Sequence, residues 1–185
     1  PQQAQQTTAT AEIASLFNIT GATQQEIQTA SDALSIGLSY PGYKKRLTSN
    51  GLINIAFQQN LTHGGQIVDG VVFAGDEIKI RSGLSQDKLK HTILHETGHI
   101  ILFRNRVYQA FVDATLQKID PACYSSLGYL RTYPFANTGG GGGASVESFA
   151  ESVALFLLNR QPLENFSTQC TNTYNWVLKN IFQVQ

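Results

Sequence analysis

The sequence predicts an α+β domain: a small mixed or antiparallel sheet in the N-terminal part, one long central helix, and a mainly helical C-terminal part. Three observations predict it. The strand-like segments Leu52–Phe57, Val71–Phe73 and Glu77–Arg81 all precede residue 85. A long stretch from Ser85 to Phe103 then reads as a helix that starts polar and turns almost wholly apolar. Beyond it only helical patterns recur, over Val107–Ile119, Ser145–Leu158 and Tyr174–Phe182. With 185 residues, 42% hydrophobic and 14% charged, the chain has material for one substantial core. The expected organisation is a loose tail or linker end over residues 1–10 and a single domain over 11–185. Its N-terminal subdomain covers about 11–105 and its C-terminal subdomain about 106–185.

In chain order, residues 1–10 are Gln, Thr and Ala with one Pro and offer nothing large to bury. Ala11–Phe17 reads as a short helix. Thr23 and Glu26 form a capping-box pattern, and Ile27, Ala30, Leu34 and Leu38 continue at helical spacing until Pro41-Gly42 stops the helix. Leu52–Phe57 reads as a strand, and Val71–Phe73 with Glu77–Arg81 reads as a hairpin around Ala74-Gly75-Asp76. Glu77–Arg81 is the expected edge strand. An open edge can pair with an extended peptide. His63, before Gly64-Gly65, reads as a turn residue. Ser85 is the expected N-cap of the central helix, which should end near Arg104-Asn105, and Val107–Ile119 closes at Asp120-Pro121.

The chemistry is concentrated in His95-Glu96-Thr97-Gly98-His99. Four helical residues advance about 6 Å and slightly more than one turn, so His95 and His99 share a face and can hold one metal ion. Glu96 lies one step round, able to reach a metal-bound water without being a ligand. Neutral imidazole suits Zn²⁺, which lowers the pKa of a bound water to about 7. A chance match in such a setting is the weaker explanation, because two imidazoles and a carboxylate on an apolar helix need something to satisfy them. His91 sits one turn before His95, but about 12 Å along the helix from His99, too far to share an ion; it reads as a surface or cleft-wall residue.

A third protein ligand is required. Leu102 and Asn105 exclude an extended motif with a third histidine. Glu147 and Glu151, four apart on one face of an apolar helix containing Phe149, Val153, Phe156 and Leu157, are the best carboxylates. One can bind the metal while the other accepts the free N–H of a ligand histidine. Asp113 and Asp120 compete less well.

HETGH followed later by Glu147-Ser148-Phe149-Ala150-Glu151 resembles the gluzincin zinc metallopeptidases, and among them the anthrax lethal factor and Pro-Pro endopeptidase group. The resemblance spans about residues 85–182, including the closing aromatic segment Tyr174–Phe182. It implies a zincin-like fold and assigns Glu147 as zinc ligand and Glu151 as its neighbour in support. It also implies an antiparallel edge strand along the cleft and a possible taste for proline-containing sites. One departure stands out: where that group carries a catalytic Tyr shortly before the ligand Glu, this chain has Gly140, inside Gly139–Gly143. The Gly run is a loose connection more readily than a flap. If it covers the metal, Tyr133 is the first candidate to stabilise the oxyanion, with Tyr129 and Arg131 behind it.

The expected activity is therefore a zinc-dependent endopeptidase with one Zn²⁺ held by His95, His99 and Glu147 and with Glu96 as general base. The alternatives are a catalytically impaired binding module and a zinc hydrolase of a non-peptide amide. Thirteen basic and thirteen acidic residues balance, so nothing favours nucleic acid as a partner. No apolar run approaches the roughly 18 residues of a membrane span. A peptide or protein substrate and a monomer are expected. The absence of Met and the start at Pro1-Gln2-Gln3 suggest a processed or trimmed product. Low charge and abundant Gln, Thr, Ser and Asn suit a secreted protein. Cys123 and Cys170 permit one disulfide, the pairing favoured over two free thiols. Sequons at Asn18, Asn60 and Asn165 decide little.

Overall fold

The computed structural model describes residues 11–73, 76–119, 144–158 and 164–183. The expected tail over 1–10, the turn residues Ala74 and Gly75, Asp120, Cys123 and the whole Gly-rich connection lie outside them. The fold is mixed α+β. Helix α1 (residues 11–16) runs straight into strand β1 (Phe17–Thr20), which the local pattern did not announce. Helices α2 (Gln24–Leu38) and α3 (Pro41–Leu47) follow, then β2 (Ile53–Gln58), the two-residue strands β3 (Thr62–His63) and β4 (Gln66–Ile67), β5 (Gly70–Phe73) and β6 (Glu77–Arg81). Among the described residues four helices complete it: α4 (Gln86–Phe103), α5 (Arg106–Ile119), α6 (Ala144–Leu157) and α7 (Glu164–Val177), the last running into a π-helical turn, Leu178–Phe182.

The capping box of α2 forms as its spacing predicts. Glu26 N donates to Thr23 Oγ1 at 3.3 Å, and Thr23 N donates to Glu26 Oε2 at 2.8 Å. The other oxygen of Glu26 accepts from Gly83 N at 3.0 Å, so one buried carboxylate ties the start of α2 to the turn that leads into α4. Pro41 does stop α2, but it also opens α3, because a proline at the first helical position lacks only an N–H that would have no partner there.

The sheet has the order β1-β2-β6-β5. β1, β2 and β6 are parallel, and β5 runs antiparallel to β6. The expected hairpin is therefore present, but the expected edge is not. Glu77–Arg81 lies inside the sheet between β2 and β5, and among the described residues Gly70–Phe73 and Phe17–Thr20 are its edges. Ile78 and Ile80 are wholly buried and pair in register with Ile55 and Phe57 of β2, so burying its apolar face drew β6 inward. His63 belongs to β3 rather than to the turn proper, and its ring packs edge-on against Phe73 at 6.0 Å.

α4 is the central beam. Twelve of its residues, from Leu89 to Leu102, are buried, the whole HETGH segment among them. Ser85 occupies its N-cap position, but without a side-chain cap hydrogen bond. At the far end the Arg104 guanidinium donates to the carbonyls of Leu47, Gly51 and Leu52 at 2.7, 3.1 and 3.1 Å. α6 packs along α4, and α2 lies against it as well. The last turn of the chain closes the base, with Phe182 stacked on Tyr43 at 5.7 Å and set edge-on to Tyr40 at 5.2 Å.

Gly98 sets the spacing of α4 and α6. A Cβ on this glycine would lie 2.7 Å from Ala150 Cα and 3.1 Å from Ala150 Cβ, and the nearer atom is backbone that cannot swing aside. Gly98→Ala should therefore force the helices apart at a cost of about 1–3 kcal/mol. Denaturant titration of the metal-free protein reads this loss, and an unchanged midpoint would contradict the close approach.

Candidate metal centre

Two helices bring the site together. From α4, His95 and His99 present their Nε2 atoms to each other at 3.1 Å. From α6, Glu147 sets Oε2 3.3 Å from His95 Nε2 and Oε1 3.5 Å from His99 Nε2. One turn further along α6, Glu151 Oε2 lies 3.1 Å from His95 Nδ1. His95, His99 and Glu147 form a group that can hold a metal ion, their ligand atoms all within 4.8 Å of one another. Asp113 of α5 is not part of that group.

The donor set suits a cation on two grounds. Tetrahedral coordination at bond lengths near 2.0–2.1 Å separates neighbouring ligand atoms by about 3.3 Å; the two Nε2 atoms stand 3.1 Å apart, and each lies 3.3 or 3.5 Å from its own oxygen of Glu147. The second ground is the chemistry of the donors. Two imidazole nitrogens and a carboxylate converge in a buried site where protons on the histidines satisfy Glu147, and a cation can take the place of those protons. The protein is otherwise closed round them: the side chains of His95 and His99 are 4% and 8% exposed, against 23% for Glu147, so the cluster meets solvent through Glu147.

The two histidines are held differently. His95 is fixed by Glu151. His99 Nδ1 has no hydrogen-bond partner among the described residues, and its ring instead stacks on Phe103 at 5.6 Å and 9°. Between them Thr97 faces the opposite way, accepting from the buried Tyr43 hydroxyl at 2.6 Å and donating to Leu94 O at 2.8 Å. That contact fixes the rotation of α4 and thus the direction in which the histidines point.

Glu96 lies beside the cluster and under the edge strand. A Cβ on Gly70 would stand 2.8 Å from Glu96 Oε1 and 2.6 Å from Thr92 Cγ2, so the bare backbone at Gly70 lets β5 settle on the motif helix. Asp69 holds the strand there. It accepts from Lys88 of α4 at 2.7 Å and from Arg81 of β6, whose Nε is 3.1 Å away. Burial pushes the Glu96 carboxyl above its ordinary range, and the charge of Glu147 adds to this while His99 and His95 oppose it. Burial acts in the same direction on Glu147 and Glu151, but is outweighed. The charge of His99 and hydrogen bonds from His95 and His99 hold Glu147 well below the usual carboxylate range. Hydrogen bonds from His91 and His95 do the same for Glu151.

Of the residues singled out in the sequence, His95, Glu96, His99, Glu147 and Glu151 come together. Tyr133, Tyr129 and Arg131 lie outside the described residues, as do Cys123 and any bond it makes to Cys170. His91 is not the plain cleft-wall residue expected: its Nε2 is 3.1 Å from both oxygens of Glu151. Spacing held the clue, since His91 and His95 on one helix match Glu147 and Glu151 on the other, each pair four apart. Gly70 carried no comparable pattern, because its importance lies in what crosses above it. The chain matches no model of a known protein family and no curated protein.

A carboxylate whose folded pKa is depressed contributes stability that is complete above its unfolded pKa and is lost as pH falls towards the folded value. Glu151 and Glu147 should thus stabilise the metal-free protein down to about pH 5 and progressively less below pH 4.5. Glu151→Gln should flatten the fall in unfolding free energy between about pH 5 and pH 3. Equal slopes for variant and wild type, from denaturant titrations across that range, would show that Glu151 has an ordinary pKa.

Proposed function

We propose that the chain is a zinc-dependent endopeptidase. The observation that carries this reading is the convergence of His95, His99 and Glu147 into one donor set, with Glu96 next to it and β5, an edge strand among the described residues, above. Zinc in that set would supply Lewis acidity towards a carbonyl oxygen and make nearby water more acidic. The chain's own residues would do the rest. The edge of Gly70–Phe73 would pair with an extended substrate backbone and hold one peptide bond over Glu96. Glu96, with its proton affinity raised by burial, would take a proton from the attacking water as the new C–O bond forms. It would hand that proton to the departing amide nitrogen as the C–N bond breaks.

Glu151 would keep His95 in the tautomer whose Nε2 is free to bind the ion. A place of action outside the cell belongs to the same proposal and rests on the low charge and polar composition. Incubation with a diverse peptide library, with and without chelator, followed by mass spectrometry of the products, tests the reading. Chelator-sensitive cleavage supports it. Zinc binding without cleavage of any peptide would favour a binding module, and cleavage confined to non-peptide amides would favour the other hydrolase.

Glu96→Gln should remove nearly all turnover while leaving zinc bound, as measured by metal analysis of the purified protein; wild-type turnover would end its role as base. Glu147→Ala should lose zinc or bind it far more weakly, whereas Glu151→Ala should lower affinity by about 10 to 100-fold. An interchange of those two results would move the ligand by one helical turn.

A further inference from the structure

His91 is a residue for which the proposed chemistry has no use, and yet it is engaged with the site. We infer that His91 is a positioning residue of the metal centre, locking the Glu151 carboxylate so that this carboxylate in turn locks the His95 ring; the inference rests on the metal-binding reading above.

The argument begins with the freedom of a glutamate. The last side-chain torsion of Glu is broad and roughly two-fold, so a carboxylate held through one oxygen still turns about its own axis. Glu151 accepts from His95 Nδ1 through Oε2 at 3.1 Å. That single contact would leave Oε1 free and the carboxylate plane undetermined. His91 Nε2 stands 3.1 Å from Oε1 and 3.1 Å from Oε2, so it bridges the two oxygens and stops the rotation. The carboxylate plane is then set by one histidine and used to orient the next.

The location fits this role. Glu151 is 5% exposed, so water has little access to replace a missing donor, and a buried carboxylate with one donor is under-satisfied. His91 is carried by the same helix as His95, with ring centroids 6.2 Å apart, so any shift of α4 moves both donors together. Its Nε2 is committed to Glu151, which leaves the ion to His95, His99 and Glu147. His99 has no such chain behind it and relies on Phe103, so the effect of His91 should be confined to His95.

The test is zinc affinity, measured by competition with a chromophoric chelator, together with the visible spectrum of the Co²⁺-substituted protein. His91→Phe keeps a ring and removes the donor. It should weaken zinc binding by about 10-fold and alter the Co²⁺ bands. His91→Gln, whose amide nitrogen donates at a similar reach, should stay within about 3-fold of wild type with unaltered bands. In a Glu151→Ala background, His91→Phe should have no further effect.

A purely structural histidine would lower the melting temperature of the metal-free protein without this pattern of rescue and coupling. Equal losses in the Phe and Gln variants, an undiminished loss in the Glu151→Ala background, or wild-type affinity in His91→Phe would each overturn the inference while leaving the metal site standing. A wild-type protein that binds no zinc would overturn the metal reading itself. If His91→Phe does not fold, His91→Asn replaces it, since its amide is one methylene too short to bridge the carboxylate. Asn binding as tightly as Gln would then overturn the inference.

Discussion

The close approach of α4 and α6 at Gly98 and Ala150 is the constraint on which the centre depends. Each helix carries only half of a donor set, and two imidazoles on one helix have little reason to sit in a core by themselves. With a Cβ at position 98 the Ala150 backbone would be pushed back, and the carboxylates of Glu147, three residues before it, and Glu151, the next residue, would retreat with it. An ion site needs its ligand atoms within a few tenths of an ångström of their places. A packing contact between two small residues meets that requirement better than long side chains could, because neither residue has a torsion to adjust.

Burial then determines how the charges behave. Three carboxylates and three histidines lie within a small volume at the junction of the two helices, and burial acts against every ionised carboxyl among them. Glu147 and Glu151 escape by accepting from histidines directly, whereas for Glu96, one step round the helix, burial outweighs the opposing charges of His99, His95 and His91 and pushes it upward. Two carboxylates of α6 are thus held ionised and the one on α4 is not. A step of about 100° round α4 turns Glu96 away from the face that His95 and His99 present to α6.

The rest of the fold acts as a frame that fixes where the beam lies and how it is turned. Tyr43 grips Thr97 from below, Arg104 closes the end of α4 against the carbonyls of Leu47, Gly51 and Leu52, and Glu26 secures the turn before it. On the upper side Asp69 ties the edge strand to α4 and β6 at once. The strand therefore cannot drift sideways along the helix. Because Gly70 offers no side chain, its backbone comes down close to Glu96. A sheet edge and a carboxylate are in this way set at one distance by two residues adjacent in sequence.

Much of this was legible beforehand, because it depends on short-range spacing. The i, i+4 histidines, the i, i+4 glutamates, the Thr23–Glu26 cap, the apolar run of α4 and the hairpin of β5 with β6 are all properties of neighbours along the chain, and a helix or strand converts them directly into faces. What spacing could not supply was the order of the strands. The alternation in Glu77–Arg81 suits an edge or an interior position equally, and only its pairing with Ile55 and Phe57 on one side and Gly70–Phe73 on the other put it inside the sheet. β1 and α3 escaped notice because four and seven residues are too few for a period to show. The sequence by itself determined which side chains can bind a cation and that they face one way on two helices. Tertiary structure alone decided that those helices meet at Gly98, that Glu151 receives two histidines instead of one, and which strand lies over Glu96, since these depend on contacts between residues far apart in the chain, to which local periodicity is blind.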